Sequence, residues 1–142
     1  MRRETILITG ANGQLGSVLN KALQQIYGAN NVLATDIRPP ESSEGLIFEE
    51  LDILDRKRMA QLIDQYQVSQ IYHLAAILSA KGEQNPLWTW KVNMDGLFNV
   101  LEVAKEKQLD KIFFPSSIAV FGGDIPKNHT PQDAVLLSLI HI

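Results

Sequence analysis

The feature that most constrains this chain is a short apolar run, a glycine-rich turn and an amphipathic stretch in immediate succession. Residues 5–9, Thr-Ile-Leu-Ile-Thr, are β-branched and apolar, the pattern of a strand buried on both faces. Thr9-Gly10-Ala11-Asn12-Gly13-Gln14-Leu15-Gly16 follows, with its glycines at the spacing G-x-x-G-x-x-G. Apolar residues then recur at Leu15, Val18, Leu19, Ala22, Leu23 and Ile26, which predicts a helix with that face inward, stopped by Gly28 and Asn30. In such a junction Gly10 permits the tight turn out of the strand. Gly13 lets backbone approach a diphosphate with no Cβ in the way, and Gly16 allows close helix–sheet packing. Free N–H groups and the helix dipole favour an anion there. The alternative is a glycine-rich turn with no ligand.

The rest of the chain keeps alternating between the two periods. Strands are predicted at 31–35, 46–51, 70–74 and 111–114. Residues 38–45 hold two prolines, two serines and two glutamates and read as a solvated loop. Asp55 can cap a helix to about Tyr66, with Met59, Leu62, Ile63 and Tyr66 inward. Asn85 and Pro86 look like the cap and first turn of a helix to Gln108, with Trp90, Met94, Leu97, Leu101 and Ala104 on one stripe. Alternating β and α units imply an α/β fold, a Rossmann-type doubly wound parallel sheet with right-handed crossovers, here cut off after about the fifth strand.

Composition narrows the function classes. The chain has 142 residues, 13 basic against 16 acidic side chains, a formal charge of −3, and is 45% apolar. That balance argues against nucleic acid or a membrane surface as a partner. No apolar run approaches the roughly 18 residues of a membrane span. With no cysteine, disulfides, thiolate zinc sites and cysteine nucleophiles are excluded. The first predicted strand starts too close to Met1 for a signal peptide, so a cytoplasmic location is expected.

Asp36 lies 20 residues after Gly16, at the end of the second strand. A carboxylate there can accept both ribose hydroxyls of an adenosine and would repel a 2′-phosphate, which favours NAD over NADP. Arg38 works against this, because a nearby arginine can pair with that phosphate. Asp36 could also be a plain turn residue. Asp52, after the third strand, could hydrogen-bond an adenine amino group or simply be a turn or helix-start aspartate. His73 reads as a core or strand-end histidine, His129 as a loop residue, and Trp88 and Trp90 as helix-packing residues. The triplet Arg56-Lys57-Arg58 reads as a solvated helix surface. No metal-ligand spacing occurs.

The glycine spacing resembles the short-chain dehydrogenase/reductase superfamily. His73-Leu74-Ala75-Ala76, Asn93 with Gly96-Leu97-Phe98-Asn99-Val100-Leu101-Glu102, and the run 114–122 (Phe-Pro-Ser-Ser-Ile-Ala-Val-Phe-Gly) are similar to its extended branch, the NAD-dependent epimerases and dehydratases. Residues 75–86, with Asp36-Ile37-Arg38, look like the short-chain type of L-threonine 3-dehydrogenase, and the likeness runs from residue 4 to about 133. The resemblance implies an NAD cofactor and a small-molecule substrate. Gly10, Asn12, Gly13, Gln14, Leu15 and Gly16 would serve the diphosphate, Asp36 and Ile37 the ribose, and Asp52 and Ile53 the adenine. Leu74, Ala75, Ala76 and Asn93 would line the cofactor, with Ser116 by the nicotinamide ribose. Ser117 would be the catalytic hydroxyl, and Ser79 would lie near an amino-acid substrate or be a plain loop hydroxyl. The resemblance further implies oxidation of L-threonine to 2-amino-3-ketobutyrate by a homodimeric parent. A nucleotide-sugar epimerase or dehydratase, or a non-catalytic dinucleotide-binding protein, are the alternatives.

The family's chemistry needs a tyrosine base with a lysine four residues later. Here the residues four past Tyr27, Tyr66 and Tyr72 are Asn31, Gln70 and Ala76, and all three tyrosines precede the serine pair. The chain therefore reads as an incomplete dinucleotide-binding domain, 1–133, without its substrate region, and inactive alone. Residues 134–142 turn apolar with no family counterpart, and 137–142 match a translation of a transposon-end adapter used in library preparation. An artefactual tail is expected there; a buried strand is the alternative.

Overall fold

The computed structural model describes residues 4–42, 45–78, 82–116, 128 and 131. Among these residues five strands form one sheet: β1 (Ile6–Thr9), β2 (Val32–Asp36), β3 (Ile47–Glu50), β4 (Gln70–His73) and β5 (Lys111–Phe113). The order is β3-β2-β1-β4-β5, and every pairing is parallel. This is a Rossmann-like sheet. The chain walks from β1 outward to β3, then returns to place β4 on the other side of β1. The reversal leaves a crevice beyond the carboxyl ends of β1 and β4, where α/β sheets bind ligands.

Helix α1 (Gln14–Tyr27) packs on one face of the sheet over Ile6, Ile8, Val32 and Ala34. The other face buries Leu7, Leu33 and Ile71 beneath α2 (Arg56–Tyr66) and a long helix. The long helix consists of α3 (Pro86–Trp90), a π-helical turn (Lys91–Asp95) and α4 (Gly96–Glu106). The two expected caps are present: the Asp55 side chain accepts from Arg58 N–H at 2.9 Å, and that of Asn85 from Trp88 N–H at 3.2 Å. Gly28, at φ 88°, ends α1.

Two helix faces differ from the periodicity. In α1 the buried residues are Gly16, Asn20 and Leu23, whereas Leu15, Val18 and Ile26 are exposed. The apolar arc is broader than one contact, and the sheet takes only its Leu19–Leu23 flank. In the long helix Trp90 and Leu101 are exposed, and Gly96, Val100, Val103 and Ala104 face the core. A π turn inserts one extra residue, so a stripe counted at 3.6 residues per turn loses register when it crosses one. Only Ala104 of the expected stripe is buried.

Candidate functional site

The groove at the crevice has a volume of about 320 Å³. Its floor is the glycine turn. Gly10 has φ +70°, and a Cβ there would sit 2.7 Å from Ala75 N and 2.8 Å from Ala75 Cα. Only glycine satisfies both the left-handed backbone and this close approach to the chain leaving β4. A Cβ on Gly16 would lie 2.4 Å from Gly10 O and 2.7 Å from Ala11 Cα. Gly16 is thus required by the turn's own backbone, where the spacing pointed to helix–sheet packing. A Cβ on Gly13 would meet nothing closer than Gly10 O at 3.2 Å. Gly13 is also the N-cap of α1, and no side chain caps the helix there. The first-turn N–H groups of Gln14, Leu15 and Gly16 therefore remain for an anion.

The turn is tied to the end of β2. Asn12 N–H donates to Asp36 Oδ2 at 3.1 Å, Asn12 Nδ2 donates to Arg38 O at 2.6 Å, and Ala11 N–H donates to Thr35 O at 3.0 Å. Asp36, Ile37 and Arg38 line the groove beside Gly10, Asn12 and Gly13. One wall is Leu51, Asp52 and Ile53, after β3. Asp52 does start a turn, since its Oδ1 accepts from Leu54 N–H at 2.9 Å, and it lines the groove as well. The facing wall is Leu74, Ala75, Ala76 and Ile77, after β4. Trp88 and Val92 complete the lining from the long helix.

Ten of the residues singled out from sequence thus meet in one groove: Gly10, Asn12, Gly13, Asp36, Ile37, Asp52, Ile53, Leu74, Ala75 and Ala76. Gln14, Leu15 and Gly16 form the adjoining helix start. Asn93 stands one layer behind. Its Oδ1 accepts from Ile77 N–H at 2.8 Å and its Nδ2 donates to Ile77 O at 3.0 Å, so its amide braces the wall. Ser116 is exposed past β5 and does not line the groove. Ser79 and Ser117 lie outside the described residues, as do His129 and the segment 132–142.

Leu51, Ile77 and Val92 were not singled out from sequence. Val92 had a usable signal, because it stands four residues after Trp88 and so shares its helix face. His73 lies under the groove's rim. Thr9 Oγ1 and His73 Nδ1 are 2.7 Å apart, and Thr9 Oγ1 also accepts from Ala75 N–H at 3.4 Å. Thr9 Oγ1 and His73 Nδ1 thus share a hydrogen bond whose direction follows the ring tautomer, and Nε2 is a buried atom with no partner among the described residues. Burial lowers the His73 pKa from 6.5 to about 4, so the ring is neutral at pH 7. Phe114 stacks on it at 5.6 Å between ring centroids. This is a core histidine, as its strand position implied.

The family model for the NAD-dependent epimerase/dehydratase family matches residues 6–138. The chain belongs to that family. A curated relative from Staphylococcus saprophyticus, called an uncharacterized epimerase/dehydratase, is 49% identical over 130 residues, covering 89% of this chain and 40% of the relative. Among solved structures, the holo form of an L-threonine dehydrogenase from Cupriavidus necator is 45% identical with a TM-score of 0.87, over 93% of this chain and 43% of that one. The L-threonine dehydrogenase from Clostridium difficile is 48% identical with a TM-score of 0.85, over 94% of this chain and 42% of that one. The family member described here thus spans about two-fifths of the length of these proteins, the part that carries the glycine turn and both groove walls. No group of three metal-ligating side chains occurs among the described residues, and none of their helices is long and apolar enough to cross a membrane.

Proposed function

We propose that this chain is the dinucleotide-binding part of an NAD-dependent dehydrogenase that oxidises the hydroxyl of L-threonine to a ketone. The observation that carries the reading is the groove itself: an uncapped helix start over a glycine cradle, a carboxylate at the end of β2, and two apolar walls. The names of the solved relatives supply the substrate. NAD supplies acceptance of a hydride at its nicotinamide ring.

The chain's own residues bind and orient. Gly13 and the first turn of α1 take the diphosphate, whose charge the helix start favours. The Asp36 carboxylate accepts from the ribose hydroxyls and repels a 2′-phosphate; its Oδ2 is fixed for this by Asn12 N–H. Ile53 and Ala75–Ala76 enclose the adenine between them, with Asp52 at its polar edge. Ser116 serves the nicotinamide ribose. Ser117 orients the reacting oxygen without carrying charge. Ser79 contacts the amino acid. Proton removal falls to a tyrosine–lysine pair that this sequence does not contain, in a homodimeric, cytosolic parent of which residues 1–133 are an incomplete dinucleotide-binding domain and 134–142 no functional part.

The test is NADH formation by the full-length protein with L-threonine, beside conversion of a nucleoside-diphosphate sugar. Turnover of the sugar and none of threonine would move the reading to the epimerase branch. In the same protein Ser117→Ala should lower kcat more than NAD affinity. A larger loss of kcat for Ser116→Ala would reverse the assignment within the pair.

A further inference from the structure

One helix grips both walls of the groove. Towards the β4 side, Asn93 spends its amide on both backbone groups of Ile77. Towards the β3 side the grip has two parts, three residues apart on α4 and therefore on one helix face. Gly96 is buried, and a Cβ there would lie 2.5 Å from Ile53 Cδ1 and 2.9 Å from Ile53 Cγ1. Asn99 Nδ2 donates to Ile53 O at 3.0 Å and to Leu54 O at 3.3 Å. Ile53 is thus seated by its side chain against a missing Cβ and held by its carbonyl to an amide. The segment's other tethers lie on either side of Ile53: Leu51 N–H donates to Asp36 O at 2.9 Å, Asp52 closes its own turn, and Asp55 caps α2.

We propose that Gly96 and Asn99 are positioning residues that set where the Ile53 wall stands, and hence the width of the slot that receives the adenine ring. The inference rests on the dinucleotide reading of the groove. Neither residue lines the groove, so neither touches the ligand. A slot for a flat ring is sensitive to small displacements, because a gap of 0.5–1 Å already forfeits about a quarter to a half of each dispersion contact. Gly96→Ala would force the Ile53 side chain, whose Cδ1 and Cγ1 fill that space, out of its present seat in the wall. Asn99→Ala would leave the Ile53 and Leu54 carbonyls without this donor and let the wall drift.

The experiment is a double-mutant cycle read by NAD affinity in the full chain, using wild type, Gly96→Ala, Ile53→Ala and the double variant, with melting temperatures on the same proteins. Gly96→Ala should weaken NAD binding about tenfold in the presence of Ile53 and less than about twofold once Ile53 is trimmed, since contacting residues couple and distant ones add. Asn99→Ala should weaken binding about fivefold and introduces no clash, so it carries the test if Gly96→Ala does not fold. Equal losses in the two Ile53 backgrounds would overturn the positioning role, as would folded Gly96→Ala and Asn99→Ala proteins with wild-type NAD affinity. A wild-type chain that binds no NAD would instead defeat the dinucleotide reading itself.

Discussion

β1 and β5 lie two strands apart in one sheet and have opposite surroundings. β1 is paired on both sides, by β2 and β4, and all four of its residues are buried. Among the described residues β5 is three residues long, pairs with β4 alone, and has all three of its residues exposed. Both carry apolar side chains, so composition does not separate them. What does is the neighbourhood. β1 ends in a turn whose Gly10 and Gly16 are hemmed in by backbone, whereas Ile112, Phe113 and Phe114 are 36%, 49% and 49% exposed at a sheet edge. The groove is lined from the carboxyl ends of β1, β2, β3 and β4 and from the long helix, and β5 contributes none of its lining. Rigidity at the centre of the sheet positions a site, and an uncovered edge exposes apolar surface and unpaired backbone to other molecules.

The largest contrast should come from the turn. Gly10→Val demands a β-branched residue at positive φ and places Cβ 2.7 Å from Ala75 backbone, so the chain should lose more than about 3 kcal/mol or fail to fold. Urea denaturation checks this; a loss under about 1 kcal/mol would mean that the turn is not rigidly held.

The next effect is acidic. The His73 pKa is depressed in the folded state, so below pH 6.5 the unfolded chain takes up a proton that the folded chain refuses. Its contribution is complete above pH 6.5 and is lost as pH falls through about 4, a total of about 3 kcal/mol at 1.36 kcal/mol per pKa unit. In His73→Gln, denaturation midpoints should lose most of their slope over that interval. An unchanged slope would assign acid sensitivity to other groups.

Cofactor choice sharpens the contrast at the groove. Asp36→Ala should weaken NAD binding about tenfold and narrow the preference over NADP, with Arg38 left in the groove. Equal affinity of the unaltered protein for both dinucleotides would remove Asp36 as the discriminator. The smallest change in stability is expected at the edge. Phe113→Lys loses the ring contact with Tyr72 at 5.3 Å and should cost no more than about 1.5 kcal/mol while lowering light scattering by the 142-residue chain. A large loss of stability would show that the β5 face is covered in solution.

Local signals made the groove's floor and most of its walls legible in advance. Glycines at fixed offsets, an aspartate at a strand end and Asp55 and Asn85 before helices act through backbone geometry within a few residues, so spacing records them. Helix faces were less legible. The inward side of α1 depends on which flank the sheet meets, and the long helix changes register at Lys91–Asp95 for a reason that hydrophobic period cannot express. Leu51 and Ile77 reached the groove only because separate segments converge there.

The sequence by itself determined the alternation of strand and helix, the glycine cradle and the carboxylate at the end of β2, because each is a local requirement of φ, cap or strand end. Only the tertiary structure decided that Gly10 must yield to Ala75, that Gly96 must yield to Ile53, and that two asparagines on one helix hold opposite walls. Those are contacts across 65, 43, 16 and 46 positions of chain, and no local pattern encodes which distant backbone a side chain will meet.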